Sequence, residues 1–82
     1  MRISVKLITR WHPRGMTLET EVPEHATVED LKRQLLEHPS LTECGDELFR
    51  GLVCVRNGMT VSDPRILEDG DRITFWKPIS GG

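Results

Sequence analysis

Only one stretch of this chain repeats with the period of a helix, and the stretches on both sides alternate with the period of a strand. Ile3, Val5 and Leu7 alternate with polar residues, which predicts a strand over residues 2–8 with one buried face. After a loop, residues 17–22 alternate again. A chain of 82 residues with this pattern must place its helix against one face of a sheet to form a core.

The helix is predicted to begin directly after Thr27. This threonine and Asp30 are spaced as in a capping box, with aspartate in the position where glutamate is usual. Pro39 ends the helix, because the residue before a proline is forced out of the helical region. The positions that form its apolar stripe are Val28, Leu31, Leu35 and Leu36.

The second half of the chain contains a tight hairpin. The Asn-Gly pair at residues 57–58 is typical of a two-residue turn and joins predicted strands over residues 52–56 and 59–61. Residues 40–51, before the hairpin, have no regular period. Residues 65–68, after it, are expected to form one short turn of helix.

The last strand is predicted over residues 72–77. Ile73 and Phe75 face the core, so Trp76 faces outward. The first and last strands suit central positions in the sheet. The order strand, strand, helix, strand, strand predicts an α+β fold, with a mixed sheet of four to five strands and one main helix across one face.

Size and charge exclude several functions. A chain this short has too little core for a deep substrate cavity, which disfavours an autonomous enzyme. A net charge of −2 disfavours nucleic acid, and the basic and aromatic residues at 10–14 are too few to bind it. No segment approaches the roughly 20 apolar residues that span a membrane, and no export signal is evident. We therefore expect a cytoplasmic protein that binds neither membrane nor nucleic acid.

The cysteines and histidines show no pattern of a reactive or metal site. Cys54 lies in an apolar strand and is expected in the core, whereas Cys44 lies in the irregular segment and is expected to be exposed. Both are interpreted as reduced thiols. The three histidines and two cysteines lack the short paired spacings of a zinc site, so no metal is expected.

The sequence ends in Gly81 and Gly82, and we expect Gly82 to bear the terminal carboxyl group. Glycines lack Cβ atoms, so this backbone can pass through a narrow slot in a partner. Five residues after Lys77 extend about 17 Å, enough to reach a buried pocket.

Three segments resemble the MoaD/ThiS sulfur carriers, which are relatives of ubiquitin: residues 55–58, residues 67–71 and residues 75–82. The resemblance implies a ubiquitin-like β-grasp domain over residues 1–77 and a flexible Gly-Gly tail over residues 78–82. The tail is most similar to that of the molybdopterin synthase small subunit. Its departure is Lys77, which stands where that subunit has a first proline.

The resemblance also implies the chemistry. The Gly82 carboxylate would be adenylated by an ATP-dependent activating enzyme, converted to a thiocarboxylate, and used by a sulfur-acceptor synthase such as the molybdopterin synthase large subunit. The chain would then be a co-substrate, with no bound cofactor, and ATP would bind the activating enzyme. Apart from Gly82, the residues expected to contact partners are Phe75, Trp76, Lys77, Pro78, Ile79, Ser80 and Gly81.

Three alternatives stay open. The chain could be a ubiquitin-like modifier attached through Gly82 to lysines of other proteins. It could be a carrier of the thiamine type, which is typically shorter. It could also be a plain β-grasp interaction module, for which Gly81 and Gly82 would be dispensable.

Overall fold

A computed structural model describes the chain from Met1 to Pro78. The sequence order of strands and helix is as predicted, with a 3-10 helix in the irregular segment between the helix and the hairpin. The elements are β1 (Arg2–Leu7), β2 (Met16–Glu21), α1 (Val28–Leu36), the 3-10 helix (Thr42–Glu47), β3 (Val53–Arg56), β4 (Met59–Val61) and β5 (Arg72–Trp76).

The strands form one mixed sheet in the order β2-β1-β5-β3-β4. β1 runs parallel to β5, and the other neighbouring pairs are antiparallel. The last strand therefore occupies the centre, with the first strand beside it. This confirms the predicted α+β class and the central positions of β1 and β5.

The core lies between the sheet and α1. The inward side chains of β1 and β5 have at most 1% of their surface exposed. Val28, Leu31 and Leu35 of the α1 stripe are equally buried, whereas Leu36 is only partly buried. Cys54 is buried on β3, as predicted. The prediction that Cys44 is exposed is wrong, because the 3-10 helix turns this side chain into the core and leaves it only 4% exposed.

The start of α1 is a complete capping box. The Asp30 N–H donates to the Thr27 hydroxyl at 3.2 Å, and the Thr27 N–H donates to the Asp30 carboxylate at 2.9 Å. The Asp30 carboxylate accepts hydrogen bonds from Thr27, and these hold its pKa below the usual value. The bond from the Thr27 backbone has the larger effect and the bond from the hydroxyl the smaller one. The spacing of these two residues therefore fixed the first residue of the helix.

Thr27→Ala is expected to lower the free energy of unfolding by about 1 kcal/mol, because it leaves the Asp30 N–H without its acceptor. Thr27→Ser keeps the hydroxyl and is expected to lose less than half as much. Chemical denaturation of both variants and the wild type measures the difference. Equal losses in the two variants would show that the methyl group, and not the cap, is responsible.

One predicted element is absent. Residues 65–68 do not form a helical turn; Ile66 instead makes an antiparallel bridge with Thr27. The Leu67 N–H donates to the Ala26 carbonyl at 2.8 Å. These backbone contacts take the groups that a helical turn would use. By contrast, the predicted turn at residues 57–58 is confirmed by its positive φ angles of 48° and 89°.

A buried carboxylate joins the β3-β4 hairpin to the start of β5. Asp71 accepts hydrogen bonds from Arg56 Nε at 2.7 Å, from the Glu68 N–H at 2.7 Å and from Asn57 Nδ2 at 3.1 Å. The side chains of Asp71 and Arg56 are only 5% and 13% exposed. The charge pair therefore lies largely out of water, with its polar atoms paired.

Candidate functional site at the base of the tail

The C-terminal segment leaves the sheet from its central strand. The Ile8 N–H donates to the Phe75 carbonyl at 2.9 Å on one side of β5, and Val53 pairs with Trp76 on the other. Lys77 and Pro78 follow as exposed residues outside the strand. The two neighbouring strands, β1 and β3, therefore hold the chain in place up to Trp76, the last residue of β5.

Not all of the predicted partner-binding residues lie on the surface. Phe75 has no exposed surface and packs edge-on against Phe49, with ring centroids 4.8 Å apart. Its inclusion among the contact residues is therefore corrected: alternation along β5 points it into the core. Residues 79–82, which include Gly82, lie outside the described residues.

Trp76 lies outward, as predicted, with 38% of its surface exposed. It faces Val53 across the β3-β5 register, and Val55 lies two residues further along the same face. We call Val53, Val55 and Trp76 the outer patch. An exposed tryptophan with aliphatic neighbours is a common anchor for protein interfaces, and here only Lys77 separates it from the tail.

A cleft opens on the other side of the tail's base. It has a volume of about 490 Å³, within the range of binding pockets in proteins. We call it the tail-base cleft. Its lining comes from the β1-β2 loop, the segment before β3 and the first residue after β5: Ile8, Thr9, Arg10, Trp11, Pro13, Glu47, Leu48, Arg50, Gly51, Leu52 and Lys77.

One wall of the tail-base cleft is a loop folded around Thr9. The buried Thr9 hydroxyl accepts the N–H groups of Trp11 and His12 at 3.1 and 3.0 Å. The His12 N–H and the Thr9 carbonyl are also bonded, at 3.0 Å. Side-chain bonds of threonine to the backbone two and three residues on are a known local pattern. That spacing is the signal that could have predicted this ordered loop.

The charges of the cleft are mostly positive. Arg50 pairs with Glu47 at 3.1 Å across 3 residues of sequence. The Arg10 guanidinium lies over the Trp11 ring, 4.4 Å from its centroid. Neither Arg10 nor Lys77 makes an ion pair with any residue from Met1 to Pro78. The cleft therefore offers two cations to an incoming anion.

The cysteines are not arranged as nucleophiles. Burial raises the pKa of the Cys54 thiol to about 11 and also raises the pKa of the buried Cys44 thiol. A raised thiol pKa lowers the fraction of reactive thiolate.

Over the first 78 residues, no three His, Cys, Asp or Glu side chains are grouped as metal ligands. None of the helices in that range has the length and apolarity to span a membrane.

Known proteins share this architecture. Small archaeal modifier protein 1 from Haloferax volcanii is 27% identical over the full length of both chains, with a TM-score of 0.74. A Pyrococcus furiosus protein named as molybdopterin converting factor subunit 1 is 25% identical over 96% of this chain and 99% of its own, with a TM-score of 0.73. These neighbours confirm the ubiquitin-like β-grasp fold.

A third structure is a complex of subunits 1 and 2 of the molybdopterin-converting factor from Helicobacter pylori. It is 19% identical over the whole of both chains, with a TM-score of 0.70, and supports the fold alone. No curated protein matches the sequence. The model of the ThiS family matches residues 10–82, which is most of the chain. The chain therefore belongs to the ThiS family, within the class of small sulfur carriers and ubiquitin-like modifiers.

Proposed function

We propose that this protein is a sulfur carrier whose Gly82 carboxylate is activated and converted to a thiocarboxylate for molybdopterin synthesis. The family match carries the proposal, because it runs through Gly82 and so includes the reacting residue. The likeness to molybdopterin converting factor subunit 1 favours this acceptor pathway over the thiamine type. The chain itself supplies a rigid base for the tail, and its partners supply the catalysis in the cytoplasm.

The chemistry requires activation because a carboxylate is a poor electrophile. An α-carboxyl group has a reference pKa of about 3.5 and is ionised near pH 7. In the proposed first step, a carboxylate oxygen of Gly82 attacks the α-phosphorus of ATP and pyrophosphate leaves. A sulfide sulfur then attacks the acyl carbon and AMP leaves, which gives the thiocarboxylate.

Surfaces at the base of the tail fit this role. Trp76 and its valine neighbours form an apolar outer patch beside the tail, and β5 holds that base in the centre of the sheet. An activating enzyme or an acceptor synthase that holds the tail would meet the outer patch at the same time. The proposed partners are therefore an ATP-dependent activating enzyme and a synthase subunit that accepts sulfur.

A second function is favoured by one observation. The Haloferax volcanii relative is a small archaeal modifier protein, and it is 27% identical over its whole length. As a modifier, this chain would form isopeptide bonds between Gly82 and lysines of target proteins. Activation is common to both functions, and the product separates them.

The full chain is incubated with ATP, a sulfide source and the activating enzyme of the same cell. Its mass is expected to rise by the difference between one sulfur atom and one oxygen atom. Intact mass spectrometry measures the change, and omission of ATP is the control. If the mass stays constant while the enzyme activates another carrier, the proposal is wrong. If stable lysine conjugates accumulate in place of the thiocarboxylate, the modifier function replaces it.

A further inference from the structure

The tail-base cleft combines an apolar floor with a positively charged rim. Trp11 and Leu52 are half-buried and line the floor, while Arg10 and Lys77 are exposed at the rim. The side chain of Lys77 lies beside Gly51 on the opposite wall. A Cβ atom at Gly51 would be 3.9 Å from the Lys77 Cε atom. The two sides of the cleft therefore meet where the tail begins.

We propose that the tail-base cleft is a docking site for an acidic segment of the activating enzyme that binds the tail, and that in this segment carboxylates flank one apolar side chain. The inference rests on the proposed function and names the chemistry of that partner. The apolar side chain would cover Trp11 and Leu52, and the carboxylates would pair with Arg10 and Lys77. Apolar anchors with complementary charges at their rim are typical of specific protein interfaces.

Charge complementarity supports an anionic occupant. The lining contains three cations, Arg10, Arg50 and Lys77, and one carboxylate, Glu47. Glu47 is committed to Arg50, so two positive charges remain at the rim. A concave surface lined with one sign of charge concentrates its field and attracts the opposite sign. The protein as a whole carries −2, so this positive charge is local.

The backbone disfavours a free phosphate as the occupant. Phosphate sites are built from convergent backbone N–H groups. In the loop wall, the N–H groups of Trp11 and His12 are already bonded to Thr9, and the Gly15 N–H is bonded to the His12 carbonyl at 2.9 Å. An anion at this loop would therefore meet charged side chains and an apolar floor instead of free backbone N–H groups. Such a surface suits a peptide segment.

The position of the cleft identifies the partner. Lys77 lines the cleft and stands directly before Pro78, the last residue that the structure describes. A protein that binds the residues after Pro78 would therefore lie beside this rim. The cleft and the outer patch then contact the same partner on two sides of the tail.

The test is the KM of the activating enzyme for this chain, with the mass change as the assay. Arg10→Glu is expected to raise KM about tenfold and leave kcat within about twofold, because it places a like charge against the partner's carboxylates. Glu47→Gln is expected to lower KM by about twofold, since it frees Arg50 for the partner. Arg14→Glu makes the same charge change on the same loop outside the cleft and is expected to leave KM within about twofold.

Each other outcome overturns the inference. Equal effects of Arg10→Glu and Arg14→Glu would show a general charge effect, and a higher KM for Glu47→Gln would contradict an acidic occupant. Inorganic phosphate is titrated separately by NMR. If it shifts the Gly51 and Leu52 amides of the wild type but not those of Arg10→Glu, the cleft is a small-anion site. If the wild type is never modified, the proposed function itself fails and the inference fails with it.

Discussion

Deletion of Gly82 is expected to lower the rate of the oxygen-to-sulfur exchange by at least about 100-fold, because the reacting carboxyl group would then belong to Gly81 and fall one residue short. One residue spans about 3.5 Å, and misplacement of a reacting atom by about 1 Å can cost 100-fold in rate. Intact mass spectrometry over time measures the loss. The same protein is expected to unfold at the temperature of the wild type.

The unchanged stability follows from where the core lies. Among residues 1–78, no buried hydrophobic side chain lies beyond Phe75. Gly82→Ala is the matched variant, because it keeps the length of the tail and adds one Cβ atom. It is expected to react more slowly than the wild type and faster than the deletion. A deletion variant that exchanges sulfur at the wild-type rate would remove Gly82 from the mechanism.

Asp71→Ala is expected to lower the free energy of unfolding by about 3 to 5 kcal/mol, the usual cost of removing one partner of a buried ion pair. The substitution removes the buried carboxylate partner of Arg56, which is 13% exposed, and leaves it only the exposed Glu68 carboxylate, 3.4 Å away. It also leaves the Glu68 N–H and Asn57 Nδ2 without an acceptor. Thermal unfolding measures the change, at about 4 to 8 °C per kcal/mol for a domain of this size.

The control for Asp71→Ala is Asp46→Ala. Asp46 is exposed and makes no ion pair with the residues that the structure describes. Its replacement is expected to change stability by no more than about 0.5 kcal/mol. Similar losses for the two variants would show that the buried hydrogen bonds of Asp71 contribute little.

The effect of Asp71→Ala is expected to depend on pH. Burial by itself raises the pKa of the Asp71 carboxyl, but hydrogen bonds from Arg56, the Glu68 N–H and Asn57 outweigh it and leave the pKa below its usual value. The stabilisation that the ionised Asp71 carboxylate contributes is therefore complete above its unfolded pKa of about 3.9. It is lost as the pH falls through the pKa of Asp71 in the folded protein. The difference in unfolding temperature between wild type and variant should narrow below about pH 4. If the difference in unfolding temperature stays constant down to about pH 2, the lowered pKa of Asp71 is contradicted.

Local patterns predicted most of the fold. Alternation placed Ile73 inside and Trp76 outside, and the spacing of Thr27 and Asp30 placed the start of α1. These features depend on neighbours within a few residues, which the sequence displays directly. The absent helical turn at residues 65–68 came from a distant contact. Ile66 was expected in a helical turn, but its backbone pairs with Thr27, which is far away in the sequence.

The candidate site was predictable only in part. Trp76 and the tail were recognised because they are adjacent in sequence. The tail-base cleft was not, since its lining comes from three segments that the sheet brings together around Trp11, Arg50 and Lys77. The local sequence signal for its ordered loop is Thr9, which stands two and three residues before the backbone N–H groups that its hydroxyl accepts.

The central position of β5 has a mechanical consequence. A partner that grips the tail and pulls would load β5 along its length, between β1 on one side and β3 on the other. Ladder hydrogen bonds run across the strands, so traction along β5 shears many of them together instead of opening them one at a time. The domain can thus be drawn firmly against a partner by its tail and stay folded under the load.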